Sequence, residues 1–359
     1  MGDDSIIYIR TDGNQEIATG HLVRCISIAR ALEKLGRRIC FLVADQESQS
    51  LLEGFGISHN LITTLKNSCY FNMEAELSSL SSLLFSLSEK PVLLLDSYFI
   101  TTKYLNTAKE VAYVAYIDDM RKWDYDVDLI INYDLISSSE LIEYRSFYLS
   151  AKKTLLGAAY TPLRSQFSGC TPVFRKKVQH ILITSGGSDP QQFCLKLAKH
   201  LISKLPKGIQ LHVVIGSLFS TEEKQALSAL SKEWKTLLLY EGLTDLSSLM
   251  KQCDLAVSSA GTTLYELCAL GIPTVSFTMA DNQQASALAF HHAGILPYAG
   301  DIRQGDCENT VEKIACFLIE MCSETANLKR KAQQEGMHQM IDGKGAMRVA
   351  KALCRLQPL

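Results

Sequence analysis

Residues 6–44, IIYIRTDGNQEIATGHLVRCISIARALEKLGRRICFLVA, decide the fold. IIYIRT (6–11) is short, apolar and β-branched, which reads as a strand, and RICFLVA (38–44) repeats that character. Between them GHLVRCISIARALEKLG (20–36) carries Leu22, Ile26, Ala29 and Leu32 at helical spacing and runs into Gly36, a helix stop. Strand, loop, helix and strand in that order make one repeat of a doubly wound sheet. The rhythm continues through a helix near 72–88 to PVLLLDS (91–97) and VAYVAYID (111–118). Continuous apolar runs of this kind predict strands buried on both faces of a parallel sheet.

Outward from there, the alternation breaks between about 150 and 180, where LLGAAYTPLRSQFSGCTPVFRKK gathers Gly, Pro, Ser and basic residues, and this reads as a linker. It restarts with HILITSGG (180–187), LHVVIG (211–216), TLLLYEG (236–242), DLAVSSAG (254–261) and IPTVSFT (272–278). The expected fold class is α/β, with two Rossmann-like doubly wound domains facing a cleft, assigned to residues 1–168 and 169–359. A last amphipathic helix, GAMRVAKALCRL (345–356), is able to pack back on the N-terminal domain.

Two domains also follow from 359 residues, and a 47% hydrophobic, 21% charged composition excludes disordered and fibrous classes. A formal charge of -2 provides no electrostatic footprint for nucleic acid. Eleven cysteines, odd in number and without a C-x-x-C pair, read as thiols of a reducing compartment rather than a disulfide framework. The acidic start MGDDSIIYIRTD is unlike a signal peptide, and no apolar run reaches the ~20 residues of a membrane span. The expected location is cytoplasmic, with no integral membrane segment; the oligomeric state is not readable.

In such sheets ligands lie beyond the carboxyl ends of the strands, so the strand-to-helix junctions are where chemistry is expected. The first, RTDGNQEIATGHLVR (10–24), puts His21 at the first turn of a helix, whose positive end favours a neutral ring suited to general-base work. The same stretch also reads as a glycine turn with a solvent-facing histidine. The second, ITSGGSDP (183–190), offers Gly186 and Gly187 for close approach of backbone amides to an anion, while Asp189 and Pro190 equally make an N-cap with Pro opening the helix. The third, VSSAGTTLYELCALGIPTV (257–275), has Ser259, Ala260, Gly261 and Thr262 in a small-residue turn suited to a diphosphate. Glu266 follows one turn into its helix, placed to accept from a ribose diol, although Thr263 and Glu266 also have capping-box spacing. The fourth, MADNQQASA (279–287), presents Asn282 and Gln283, amides matched to sugar hydroxyls or acetamido groups, or simply the start of a surface helix. Asp96 with Tyr98, and Asp118 with Asp119, stand at further strand ends, where acids also form turns.

Several chemistries are disfavoured by the same reading. No metal-ligand constellation, Walker lysine, G-x-S-x-G elbow or G-x-G-x-x-G fingerprint occurs, and no metal or cofactor is expected. The first half shows no obvious basic and aromatic surface patch.

In order along the chain, Arg10, Asp12, Gly20, His21 and Arg24, DSYFI (96–100), YIDD (116–119), INYD (131–134), GAAYTPLR (157–164), SGGSDP (185–190), SSAGTTLYE (258–266), DNQQ (281–284) and IDGKGAMR (341–348) resemble the nucleotide-sugar hydrolases of pseudaminic acid biosynthesis and the related spore-coat polysaccharide proteins. That family is similar to the two-domain inverting glycosyltransferase acting on the lipid-linked peptidoglycan precursor. The resemblance implies a GT-B architecture in which the C-terminal domain holds UDP. It implies that His21 activates water to attack the anomeric carbon of a UDP-linked 2,4-diacetamido-2,4,6-trideoxy sugar. In that picture Gly186, Gly187, Ser259, Ala260, Gly261, Thr262 and Glu266 bind the nucleotide, and Arg10, Asp12, Gly20, Asp96, Tyr98, Asn282 and Gln283 the sugar. Ser97 and Ala18 depart from the family pattern, which leaves the sugar open. An inverting transferase using a UDP-sugar donor and a non-catalytic nucleotide-sugar-binding protein are the alternatives.

Overall fold

A computed structural model of the chain describes residues 6–357, apart from 15, 16, 18, 138, 244 and 304–306. The described chain divides into two units, residues 1–165 with 343–359, and residues 166–342.

The first unit holds β1 (Ile6–Thr11), α1 (Gly20–Lys34), β2 (Arg38–Val43), α2 (Gln46–Gly54), β3 (Ile62–Thr64), α3 (Leu77–Phe85), β4 (Val92–Asp96), α4 (Thr102–Val111), β5 (Tyr113–Ile117), β6 (Leu129–Asn132), α5 (Glu140–Phe147) and β7 (Thr154–Leu156). Its seven strands pair in parallel in the order β3-β2-β1-β4-β5-β6-β7. Every residue of β4 and β6 is buried, the physical reason these strands are written without polar alternation. β1 lies between β2 and β4, so the direction of winding reverses there, and Thr11 is in register with Asp96 at the carboxyl ends.

The second unit holds β8 (His180–Thr184), α6 (Phe193–Ile202), β9 (Gln210–Ile215), α7 (Thr221–Glu233), β10 (Leu237–Glu241), α8 (Ser247–Met250), β11 (Leu255–Ser259), α9 (Thr262–Leu270), β12 (Thr274–Thr278), α10 (Asp281–His292), β13 (Tyr298–Asp301), α11 (Cys307–Met321) and α12 (Asn327–Met340). Its sheet, β10-β9-β8-β11-β12-β13, has the same winding, with its reversal between β8 and β11. α9 is stopped by Gly271, whose φ of +63 suits glycine and whose side a Cβ would drive to 2.9 Å from Pro172.

The closing helix α13 (Gly345–Leu353), assigned above with residues 169–359, belongs to the first unit. Ala346, Val349, Ala350 and Leu353 join the core formed by Leu22, Cys25 and Ile28 of α1. Fully burying residues such as Val349 and Leu353 contributes about 1.5–3 kcal/mol each, which decides where the helix goes. All eleven cysteines are free thiols, five of them buried. No helix among the described residues is long and apolar enough to cross a membrane.

Candidate functional site

In the first unit the reversal point brings β1, β4 and the start of α1 together. His21, the second residue of α1, is buried, and its Nδ1 lies 2.6 Å from Asp96 Oδ1 at the end of β4. Arg24, one turn further, donates from Nε to Asp96 Oδ2 at 2.6 Å and from Nη1 to Asp119 Oδ2 at 2.5 Å, and it also reaches Asp96 Oδ1 and Tyr133. Burial alone pushes Asp96 up, but Arg24 and His21 outweigh it and hold the carboxyl well below the usual range. An ionised Asp96 only accepts, so His21 Nδ1 carries a hydrogen, and in the neutral ring Nε2 is the acceptor. Arg24 Nη2 also lies 3.0 Å from Nδ1, yet its donors are directed to the carboxylate.

Nε2 faces Tyr70, whose hydroxyl lies 3.2 Å away, and the Tyr98 ring meets the imidazole edge-on at 4.5 Å. Burial raises the Tyr70 phenol, so it donates its hydrogen at neutral pH. Tyr70 comes from the segment 66–76, and Arg10 explains why that segment stays in place. The Arg10 guanidinium, inaccessible to solvent, donates to both Glu76 oxygens at 2.7 and 2.8 Å, to Asp12 at 2.5 Å and to Ser68 at 3.1 Å. Tyr104 adds a hydrogen bond to Glu76 at 2.7 Å, and Asp12 also accepts from Ala44 N at 2.6 Å.

These contacts correct three of the expected sugar contacts. Arg10, Asp12 and Asp96 have no exposed surface and are occupied by protein partners, so they position Tyr70 and His21 rather than touch a ligand. Gly20 is exposed at the head of α1, and Tyr98 is 40% exposed with its hydroxyl 3.3 Å from Asp119. Asp118 is a turn-former, accepting from Met120 N and Arg121 N at 2.9 and 3.0 Å. Ser97 likewise accepts from Phe99 N at 3.1 Å, and Ala18 lies outside the described residues. Tyr98, Phe99 and Phe71 are exposed beside Tyr70, with ring centroids 5.0 Å apart for Phe71 and Phe99, and Lys103, nearby in sequence, is paired with Glu74 at 2.9 Å.

In the second unit the reversal point joins the turns after β8 and β11. Ser259 Oγ donates to Ser185 O at 2.9 Å, which ties the two turns. Gly186 has a φ of +91, a left-handed backbone that suits glycine, and donates its amide to Thr184 Oγ1 at 3.2 Å, while Gly187 has open space where a Cβ would stand. Ala260 is buried; Gly261 is the N-cap of α9, with no side chain capping the helix. The alternative of a Thr263–Glu266 capping box is therefore not realised, because the helix starts at Thr262 and leaves its leading amides without a side-chain cap. Glu266 is buried on the same helix and Thr262 is exposed at its head. Gln283, in the first turn of α10, accepts from Met279 N at 3.0 Å and brings its amide to 3.9 Å from where a Gly261 Cβ would sit, while Asn282 is exposed beside it. Pro190 does not open α6: Asp189 caps the helix from further back, accepting from Phe193 N and Cys194 N at 2.8 and 2.7 Å.

A cavity of about 380 Å³ lined by Cys170, Arg175, Asp254 and Arg330 sits instead at the amino ends of β8, β11 and β12, where this winding places no ligand. No cluster of His, Cys, Asp or Glu able to hold a metal occurs among the described residues.

Comparison with known proteins agrees with this architecture. Residues 180–343 match the family model described as the glycosyltransferase family 28 C-terminal domain. The chain is 25% identical over 352 residues to the spore coat polysaccharide biosynthesis protein SpsG of Bacillus subtilis, covering 97% of each. It is 28% identical to the uncharacterized protein MJ1062 of Methanocaldococcus jannaschii, over 75% of this chain and 54% of that one. It is 27% identical to the pseudaminic acid cytidylyltransferase and UDP-2,4-diacetamido-2,4,6-trideoxy-beta-L-altropyranose hydrolase of Helicobacter pylori, over 77% of this chain and 45% of that one. The chain thus spans about half the length of two of these curated relatives and nearly all of the third. Among solved structures, MurG of Acinetobacter baumannii aligns with a TM-score of 0.66 at 14% identity, over 98% of this chain and 99% of that one. The pneumococcal O-GlcNAc transferase GtfA, in complex with UDP and GlcNAc, aligns with a TM-score of 0.64 at 10% identity, over 99% of both chains. The chain has the two-domain GT-B fold of glycosyltransferase-like proteins.

Proposed function

We propose that this GT-B chain is a nucleotide-sugar enzyme of polysaccharide biosynthesis that hydrolyses a UDP-linked 2,4-diacetamido-2,4,6-trideoxy sugar to UDP and free sugar. The observation that carries the reading is the Asp96–His21 pair at 2.6 Å at a strand-end reversal point, which orients the ring so that Nε2 is the proton acceptor of its neutral form. In this reading Nε2 takes the proton of a water as its oxygen attacks the anomeric carbon and the bond to UDP breaks, inverting that centre. The attacking water takes the place of the Tyr70 hydroxyl at the Nε2 lone pair, and that hydroxyl, 3.2 Å from Nε2, is then placed to hold the water. The departing diphosphate gains charge, and the turns of Gly186, Gly187, Ser259, Ala260, Gly261 and Thr262 with the α9 terminus are suited to stabilise it, the amides of Gly186 and Ala260 being given to Thr184 Oγ1 and Phe277 O, so no carboxylic acid is required. Glu266 is assigned to the ribose, and Gly20, Tyr98, Asn282 and Gln283 to the sugar.

Purified chain incubated with the UDP-diacetamido sugar should release UDP and free sugar at equal rates, and His21→Ala should abolish this. Absence of turnover, or turnover indifferent to that substitution, overturns the assignment. The second reading, an inverting transferase, draws on the exposed Phe71, Tyr98 and Phe99, which suit an apolar acceptor. It predicts that UDP release depends on added acceptor.

A further inference from the structure

Glu223 stands in the first turn of α7, three residues after Ser220, the spacing of a capping box. Ser220 plays its part, its Oγ accepting from Glu223 N at 3.1 Å. The Glu223 carboxyl does not return to the backbone. It is inaccessible to solvent, and no hydrogen-bond donor reaches either of its oxygens. The group it faces is Asp189, the buried carboxylate that caps α6 and shares a turn with Gly186 and Gly187. Two neighbouring buried carboxylates do not both ionise readily, so one proton stays with the pair. Burial, then the Asp189 charge, push Glu223 up to about 8, and at neutral pH its O–H donates to Asp189.

The other ionisable groups on the surrounding elements leave this proton in place. The Cys194 thiol of α6 is raised by burial, and by the charge of Asp189. Lys196 is turned to Cys307 and Glu308 at 3.7 and 3.8 Å, and Lys224 of α7 pairs with Glu241 at 2.8 Å.

We propose that Asp189 and Glu223 form a positioning pair that ties occupancy of the Gly186–Gly187 turn by a nucleoside diphosphate to the retention of one proton. The proposal rests on the reading of that turn as the diphosphate cradle. Holding its proton, the pair carries one negative charge behind the turn. Losing it, the pair carries two, which oppose the phosphates and pull against the cap of α6. Glu223 touches no substrate in this scheme; it acts through Asp189 and the turn.

The test is titration of the full chain with UDP by calorimetry from pH 7 to 9.5, in two buffers of different ionisation enthalpy. The last ionisation of a phosphate, at about 6, is largely complete over that range, and the uracil N3–H, which begins to ionise only at its top, contributes equally to wild type and variant. Wild type should weaken about tenfold in UDP affinity across the range and take up about half a proton on binding near pH 8.5. Glu223→Gln, which donates to Asp189 but does not ionise, should bind UDP at pH 9 as wild type does at pH 7, with no proton uptake. UDP affinity constant with pH in wild type, or Glu223→Gln keeping the wild-type pH dependence, overturns the linkage while leaving the nucleotide reading intact. A chain that binds no UDP at any pH overturns the nucleotide reading and the linkage with it. The wild-type proton uptake decides the matter even where the variant folds poorly.

Discussion

Gly216 follows β9 directly and backs the turn after β8. A Cβ built there would stand 2.5 Å from the Gly187 carbonyl carbon and closer still to the carbonyl oxygens of Gly186 and Gly187. Ordinary contacts begin near 3.4 Å, so a Gly216→Ala substitution requires the turn to retreat by about 1 Å. The atoms in the way are backbone, held by Leu218 N to Gly187 O at 2.9 Å and by Ser259 Oγ to Ser185 O at 2.9 Å. Overpacking costs about 1–3 kcal/mol, and loss of a backbone hydrogen bond adds about 1. The expected total is about 2–4 kcal/mol, a fall of roughly 4–16 °C in Tm for a unit of this size. Because the displaced turn is the one assigned to the diphosphate, UDP affinity should fall by about tenfold or more. The control is Gly187→Ala, where a Cβ meets nothing within 4 Å and the backbone is not left-handed. It should leave stability within about 0.5 kcal/mol of wild type, since no stabilising contact is lost. Thermal unfolding and UDP calorimetry on both variants decide the point. A Gly216→Ala protein with wild-type Tm, or a Gly187→Ala protein equally destabilised, refutes the steric reasoning.

Glu76→Ala leaves the Arg10 guanidinium buried without its main partner and should cost about 3–5 kcal/mol in denaturant unfolding; a change below 1 kcal/mol removes the assigned role of that ion pair. Tyr70→Phe should lower kcat for UDP-sugar hydrolysis without a comparable change in KM or Tm, because it removes only the hydroxyl on His21 Nε2. Gly345→Ala places a Cβ 2.6 Å from the Tyr160 carbonyl carbon, so α13 should loosen and its C-terminal segment become sensitive to limited proteolysis. His212, lowered to about 4 by burial and then by His180, resists protonation in the fold; the unfolded chain binds the extra proton, so stability should drop as pH falls from 6.5 to 4. Glu223 has the opposite sign: the fold holds a proton that the unfolded chain releases near 4.5, so stability is full below that pH and declines towards 8, and Glu223→Gln should flatten the decline.

Most of the architecture was legible in the chain because strands and helices write their burial locally. Continuous runs such as VLLLD become fully buried strands, and the helix of 20–36 appears at Gly20–Lys34. The short β3, β6, β7 and β13 escaped the reading, since three or four residues carry too little pattern to separate from loop. The strand-end motifs were also legible, because sheet winding dictates that ligands and polar residues gather at reversal points.

Sequence by itself therefore determined two doubly wound units and the turns at which chemistry is expected. What the tertiary structure decided was which polar residues at those turns face outward and which are consumed inside. Arg10 and Asp12 sit in the same short motif as His21, yet Glu76, 66 residues away from Arg10, turns them into a buried clamp. Tyr70 reaches Nε2 from a segment without periodicity, α13 crosses back to the first core, and Glu223 leaves its capping-box geometry for Asp189. Each outcome depends on desolvation and pairing between distant residues, and those energies exist only once the chain has closed around them.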